Sequence, residues 1–246
     1  MNVERDGDSF RAEEGGVVVG SARLAPEGSV VLELDGPRER VALALLRAVA
    51  AAGSQDVPPQ RGPSFGSVHL QTDDQNAVAQ SVSRLVPRVF RSRATVVSPA
   101  RNGWVAIYNE VAEREPRQLA RLGRELSHAS GLVVFAIGVE TGALVHYTAF
   151  ERGRMLDEYV SVPEFRGPLP PGDAIALRAN PTVVARLTGA DPAAVRGVAR
   201  TAASPEELPP APELIAELAA VLGLEGVTLG FTEARELPGA VVVEHK

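Results

Sequence analysis

The sequence predicts an α+β fold in which an antiparallel sheet carries helices on one face. Two observations lead there. Residues 132–162 read LVVFAIGV, ETG, ALVHYTAF, ERGR and MLDEYVSV. These are three runs rich in β-branched and aromatic residues, joined by two tight turns, each with a glycine able to take positive φ. A second hairpin signal, NGW at 102–104, feeds the alternating run WVAIYNE. Strand pairs at 95–109 and 132–160 are therefore hairpins rather than crossovers, which excludes a doubly wound parallel sheet.

Taken in order, residues 10–35 hold three short strands, Phe10–Glu13, Val17–Leu24 and Val30–Leu34, with turns at Gly15-Gly16 and Pro26-Glu27-Gly28. Val41, Leu45, Leu46 and Val49 recur at helical spacing, so a helix is expected from Pro37 to Ala52, stopped by Gly53. These residues, 1–53, form a small βββα subdomain. Residues 54–66, SQDVPPQRGPSFG, are polar, proline-rich and aperiodic, and read as a linker. A core domain over 67–165 opens with the strand SVHLQ. Asp73 or Asp74 caps a helix to Val86, which Pro87 ends. Thr95–Ser98 is a strand, and Pro116 opens a helix whose buried stripe is Leu119, Leu122, Leu126 and Ala129. The first six elements have the βαββαβ order of a ferredoxin-like core, which the β-meander extends. After Pro163 an extended connector, FRGPLPPGD, leads to a helical C-terminal segment over 166–246. Its helices are expected near 173–187, 192–201 and 212–222, and two short strands at Val227–Thr232 and Val241–Glu244 close it.

Composition narrows the function. No cysteine is present, which removes disulfides, thiolate catalysis and cysteine metal sites. The start MNVERDGDSF has neither the basic nor the apolar region of a signal peptide, and the apolar run at Leu132–Ile137 is far too short to span a bilayer. A soluble cytoplasmic protein with no membrane partner is expected. The four histidines show no ligand spacing, so neither a metal nor a cofactor is called for. The net charge of −6 weighs against a dedicated nucleic-acid binder. That charge is unevenly spread: no acid lies between Asp74 and Glu110, where Arg84, Arg88, Arg91, Arg93 and Arg101 all fall.

Three surfaces follow. The arginine stretch, with Trp104 and Tyr108 nearby in sequence, has the forked donors and aromatic faces that bind anionic ligands, acidic proteins or single-stranded nucleic acid. On the meander, a two-residue turn at Arg152-Gly153 sets His146 opposite Tyr159 and Thr148 opposite Asp157, a grouping suited to acid–base work. The third is VARLTGADPAAVRGVAR at 184–200, which resembles the helix-turn-helix of LacI-type repressors. That resemblance implies a turn at Gly189 and DNA contacts from Arg196 and Arg200. The N-terminal stretch FRAEEGGVVVGSARL is similar to the central hairpin of GNAT acetyltransferases, but GPRER at 36–40 lacks their glycine-rich loop, and no catalytic residue carries over.

The expected function is that of a non-enzymatic interaction or regulatory protein, binding a protein or anionic ligand through the arginines. A DNA-binding regulator using 182–201 is the alternative, and an enzyme built on the meander cluster is the second. The sequence leaves the oligomeric state open.

Overall fold

A computed structural model describes residues 2–6, 9–15, 17–24, 30–35, 41–42, 44–46 and 62–245. The chain has α+β character with antiparallel sheets, and it divides into two compact units, Met1–Pro58 and Pro59–Lys246.

In the first unit β1 (Asn2–Asp6), β2 (Ser9–Glu14), β3 (Val17–Leu24) and β4 (Val30–Leu34) pair antiparallel in chain order. β1 was not expected. NVERD has a single apolar residue and no alternation to read, yet it pairs with β2 from Asn2↔Glu13 to Asp6↔Ser9. Phe10, Ala12, Val19 and Ala22 project from one sheet face into a small core with Val41 and Leu45, which lie in the described helical residues 41–42 and 44–46. The rest of the helix expected over 37–52, and the linker up to 61, fall outside the described residues.

The second unit is built on a sheet of β5 (Phe65–Gln71), β6 (Ala94–Val97), β7 (Trp104–Asn109), β8 (Val133–Glu140), β9 (Leu144–Glu151), β10 (Arg154–Val160) and β11 (Val241–Glu244). Its strand order is β10-β9-β8-β5-β7-β6-β11, antiparallel throughout. Two helices, α1 (Gln75–Val89) and α2 (Pro116–Ser130), cover one face. Their buried stripes, Val78, Val82 and Val86 with Leu119, Leu122 and Leu126, pack on Val68, Leu70, Val105, Ile107 and Val134. Ala129, expected in the stripe of α2, is exposed; Gly123 and Ser127 take the buried positions.

Local chemistry fixes the ends of these elements. The Asp74 carboxylate accepts from Ala77 N at 2.9 Å and starts α1. Pro87 does not end that helix, which runs on to Val89. A proline in the last turn removes only one backbone bond there, and Phe90 N still reaches Val86 O. Asn102 (φ 52°) and Gly103 (φ 77°) both take positive φ, the two-residue hairpin turn predicted from NGW. β5 begins at Phe65, two residues inside the expected linker.

One expectation is corrected. Helices lie on both faces of the sheet, not one. The C-terminal segment forms α3 (Pro171–Ala176), α4 (Pro181–Thr188), α5 (Pro192–Val198), α6 (Ala211–Leu222) and α7 (Phe231–Ala234). Val184, Leu187, Val195, Leu214, Ile215 and Leu218 cover the second face and share a core with Phe135, Ile137, Tyr147 and Tyr159. The cause is legible afterwards: the strands of this sheet are apolar on both sides, as a doubly covered sheet requires. Residues 227–232, expected as a strand, instead turn into α7, while β11 is a strand as expected.

A row of aromatics crosses the second face. Trp104, Phe135, Tyr147 and Tyr159 lie at successive centroid separations of 5.9, 5.5 and 5.4 Å. Tyrosine hydroxyls tie this face to the C-terminal layer. Tyr159 donates to Arg200 O at 2.6 Å, and Tyr108 to Gly226 O at 3.0 Å. Tyr147 donates to Asp157 Oδ2 at 2.6 Å, and the same carboxylate accepts from Asn180 N, which heads α4.

Tyr159→Phe is expected to lower unfolding stability by about 1 kcal/mol, the usual net value of a neutral hydrogen bond. Tyr147→Phe is expected to cost more, about 2 kcal/mol, because it strips a donor from a half-buried carboxylate. Urea denaturation of both variants checks the order; equal or negligible losses would contradict the role given to these hydroxyls.

Candidate functional site

The arginines divide between surfaces. Arg84 and Arg88 are exposed on α1, and Arg91 is exposed just beyond its end. Trp104 and Tyr108 do not join them. Both are buried on the opposite face of the sheet, under the C-terminal layer, because β7 alternates and its even-numbered residues point that way. Arg101 bridges to Trp104 in the hairpin, and Arg93 is held by its backbone N–H on the Glu110 carboxylate, at the start of β6. The surface beside Arg84 and Arg88 is completed by α2 instead. Arg117, Arg121 and Arg124 recur there at i, i+4 and i+7 and are all exposed. Arg121 stacks over the Phe90 ring at 5.7 Å, linking the end of α1 to α2. Arg124 pairs with Glu125 at 3.2 Å. Among the described residues no carboxylate lies within ion-pair distance of Arg84, Arg88, Arg91, Arg117 or Arg121. The spacing of the α2 arginines was readable in the sequence; that they stand beside Arg84 and Arg88 follows from the packing of α2 on α1.

The meander cluster is split by a β-bulge. Glu151 pairs with Arg154 as the turn predicts, but the register shifts between Met155 and Asp157, leaving Leu156 without a partner. Thr148 therefore faces Glu158, not Asp157, and His146 faces Val160, not Tyr159. Asp157 and Tyr159 turn to the C-terminal layer, where their polar atoms are occupied by Tyr147, Asn180 and Arg200. His146, Thr148 and Glu158 turn the other way, into a cavity of ≈ 510 Å³. Its floor is β9 and β10, one side is the first turn of α2 at Pro116, Arg117 and Ala120, and the outer wall is the segment 162–169. That segment was expected to be a bare connector.

His146 and Thr148 are buried. Gly138 lies opposite His146, and a Cβ there would sit 3.3 Å from His146 Nε2 and 2.6 Å from the Phe65 carbonyl, so glycine makes room for the ring. Burial, with the Arg166 cation nearby, pushes the His146 imidazole down to about 4, so it is neutral at pH 7. Burial, reinforced by the Asp157 charge, raises the Glu158 carboxyl. Among the described residues no side-chain hydrogen bond engages His146, Thr148 or Glu158. Arg166 forms an ion pair with Glu140 at the rim.

The helix-turn-helix segment does form two helices, with Gly189 at φ 80° between α4 and α5. α5 is two turns long, anchored by Val195, and exposes Ala193, Arg196 and Gly197, with Arg200 exposed beyond its end. The Asp191 carboxylate caps its start and puts an acid where bases would be read.

Within the core, the Ser67 hydroxyl and His69 Nε2 are 2.8 Å apart, both fully buried, and His69 Nδ1 has no partner. Both residues are closed off from solvent in this structure. Among the described residues no group of three or more His, Asp or Glu gathers as metal ligands, and no helix is long and apolar enough to cross a membrane.

No protein-family model, curated protein or solved structure matches the chain.

The buried His69 gives stability a pH dependence. Burial lowers its folded value to about 3 from 6.5, so the unfolded chain binds the proton first. Stability from this group is complete above pH 6.5 and is lost as pH falls toward 3. Between pH 7 and pH 4 the parent protein should lose about 3 kcal/mol more than His69→Gln. Urea titrations of both proteins at the two pH values check this; parallel losses would contradict it.

Proposed function

We propose that the protein is a non-enzymatic interaction or regulatory protein that docks an acidic protein partner on the arginine face of α1 and α2. The observation that carries the reading is the set of exposed arginines on neighbouring helices, Arg84 and Arg88 on α1 with Arg91 just past its end and Arg117, Arg121 and Arg124 on α2, with Glu125 as the one acid on either helix. Free guanidinium groups on rigid helices are well suited to carboxylates, because the planar fork is aligned before the partner arrives. An acidic protein is favoured over single-stranded nucleic acid by the aromatics. Trp104 and Tyr108 are buried away from this face and Phe90 is 8% exposed, so among the described residues these aromatics offer the arginines no stacking platform.

The strand order β8-β5-β7-β6, with α1 and α2 on one side, supports reading 65–140 as a ferredoxin-like core. In that reading the helical face is the outer surface of a stiff two-layer unit, and the C-terminal layer leaves it uncovered.

The test uses fluorescently labelled poly-L-glutamate as probe and a duplex DNA of similar length as comparison. The protein should hold polyglutamate in a salt-dependent manner, and Arg84→Ala/Arg88→Ala/Arg121→Ala should weaken it by roughly tenfold or more. Unchanged affinity in that variant, or a tighter hold on the DNA, would overturn the proposal.

A further inference from the structure

The cavity on β9 and β10 is a second site, and its chemistry narrows what it accepts. We propose that it binds a small zwitterion with an apolar body, an amino acid or a dipeptide, whose carboxylate meets Arg117 and whose ammonium meets Glu158.

The charge pattern is the first argument. Two cations and two anions line the cavity: Arg117, Arg166, Glu140 and Glu158. Arg166 and Glu140 neutralise each other at the rim. Arg117 and Glu158 are left, opposite in sign, with no partner among the described residues. Glu158 is half-buried, so a ligand that brings no cation leaves its carboxylate partly desolvated, while Arg117 stands exposed at the cavity edge as a second, oppositely charged contact; the ligand that meets both carries both signs.

The floor supplies the second argument. His146 and Thr148 are 9% and 6% exposed and border this cavity, and among the described residues no side-chain hydrogen bond engages either. Polar side chains that are buried this deeply are ordinarily paired, and two unpaired ones that border a cavity can be completed by a molecule bound in it. His146 is neutral at pH 7, so it adds a hydrogen bond without disturbing the charge balance. The remaining lining is apolar: Leu144, Val160, Val162, Phe165, Leu169 and Leu177. A leucine- or phenylalanine-like body fills such a wall, and ≈ 510 Å³ lies within the range of small-molecule sites.

Calorimetric titration of the full chain tests this. The zwitterionic probes are L-leucine, L-phenylalanine and L-leucyl-L-phenylalanine. The truncated probes are 3-phenylpropanoate, which lacks the ammonium, and 2-phenylethylamine, which lacks the carboxylate. At least one zwitterion should bind, and each truncated probe should bind roughly tenfold or more weakly than its parent. Glu158→Gln should weaken the zwitterion by about the same factor while sparing phenylpropanoate, and Arg117→Ala should weaken it while sparing phenylethylamine. Circular dichroism of both variants establishes that they are folded. No binding by any of the three zwitterions, phenylpropanoate binding as tightly as phenylalanine, or full affinity in a folded Glu158→Gln variant would each overturn the proposal.

Discussion

The second unit depends on the bond between an aromatic sheet face and the helical layer laid over it. Trp104, Phe135, Tyr147 and Tyr159 form the row, and their neighbours in the core come from α4, α5 and α6. Apolar burial holds the layer on, but burial has no direction and would tolerate many placements. The hydroxyls remove that freedom. Each of the chain's three tyrosines is buried and spends its proton on one acceptor: Gly226 O, the Asp157 carboxylate or Arg200 O. Burial raises the pKa of all three phenols, so the proton stays in place. The C-terminal segment is therefore located by named atoms and not only by oil-like contact.

The bulge at Leu156 makes this layer and the cavity compatible on one strand. An unbroken register would set Asp157 opposite Thr148, on the cavity side. The extra residue turns Asp157 toward Tyr147 and the start of α4, and brings Glu158 to the cavity in its place. Two adjacent carboxylates thus take separate tasks on opposite faces of β10. Burial raises the pKa of both, and they differ in their company. Asp157 has hydrogen bonds that pull it back down; Glu158 has none from a side chain and feels the Asp157 charge.

Local sequence signals recovered what is local. Turns at 102–103, 141–142 and 152–153 follow from a glycine preceded by a residue that takes positive φ. The starts of α1 and α2 and the end of α6 follow from Asp74, Pro116 and Gly223, whereas α1 runs past Pro87 to Val89. What escaped depends on what lies above and below. A single run such as WVAIYN says which residues alternate but not which side meets which helix, and proximity in sequence places Trp104 and Tyr108 with arginines that lie across the sheet from them. The bulge leaves no mark in RMLDEYV, since Leu156 is as apolar as its neighbours' register would allow, and a shift of one residue exchanged the members of the polar cluster. The cavity wall at 162–169 is rich in Pro and Gly, which signals irregular backbone and nothing about where that backbone goes.

Net charge is a poor guide to a layered molecule of this kind. The value of −6 belongs to the whole chain, but recognition is felt over a Debye length of about 8 Å at physiological salt. Stacked layers lie roughly 10 Å apart, so the outer surfaces of the two helical layers are separated by more than two such lengths. Their charges differ. The stretch around α6 exposes Glu206, Glu207, Glu213, Glu217, Glu225 and Glu236, with Arg235 as its cation, whereas α1 and α2 expose arginines and Glu125 falls in the middle range of burial. An anionic group approaching the α1–α2 side meets the local guanidinium field, and salt screens the acids on the far side. The overall acidity that weighs against anion binding in the composition belongs to other parts of the chain: residues 1–58 hold ten acids and six arginines and residues 166–246 ten acids and seven cations, whereas 59–165, which carry the arginine face, hold eleven acids and twelve arginines.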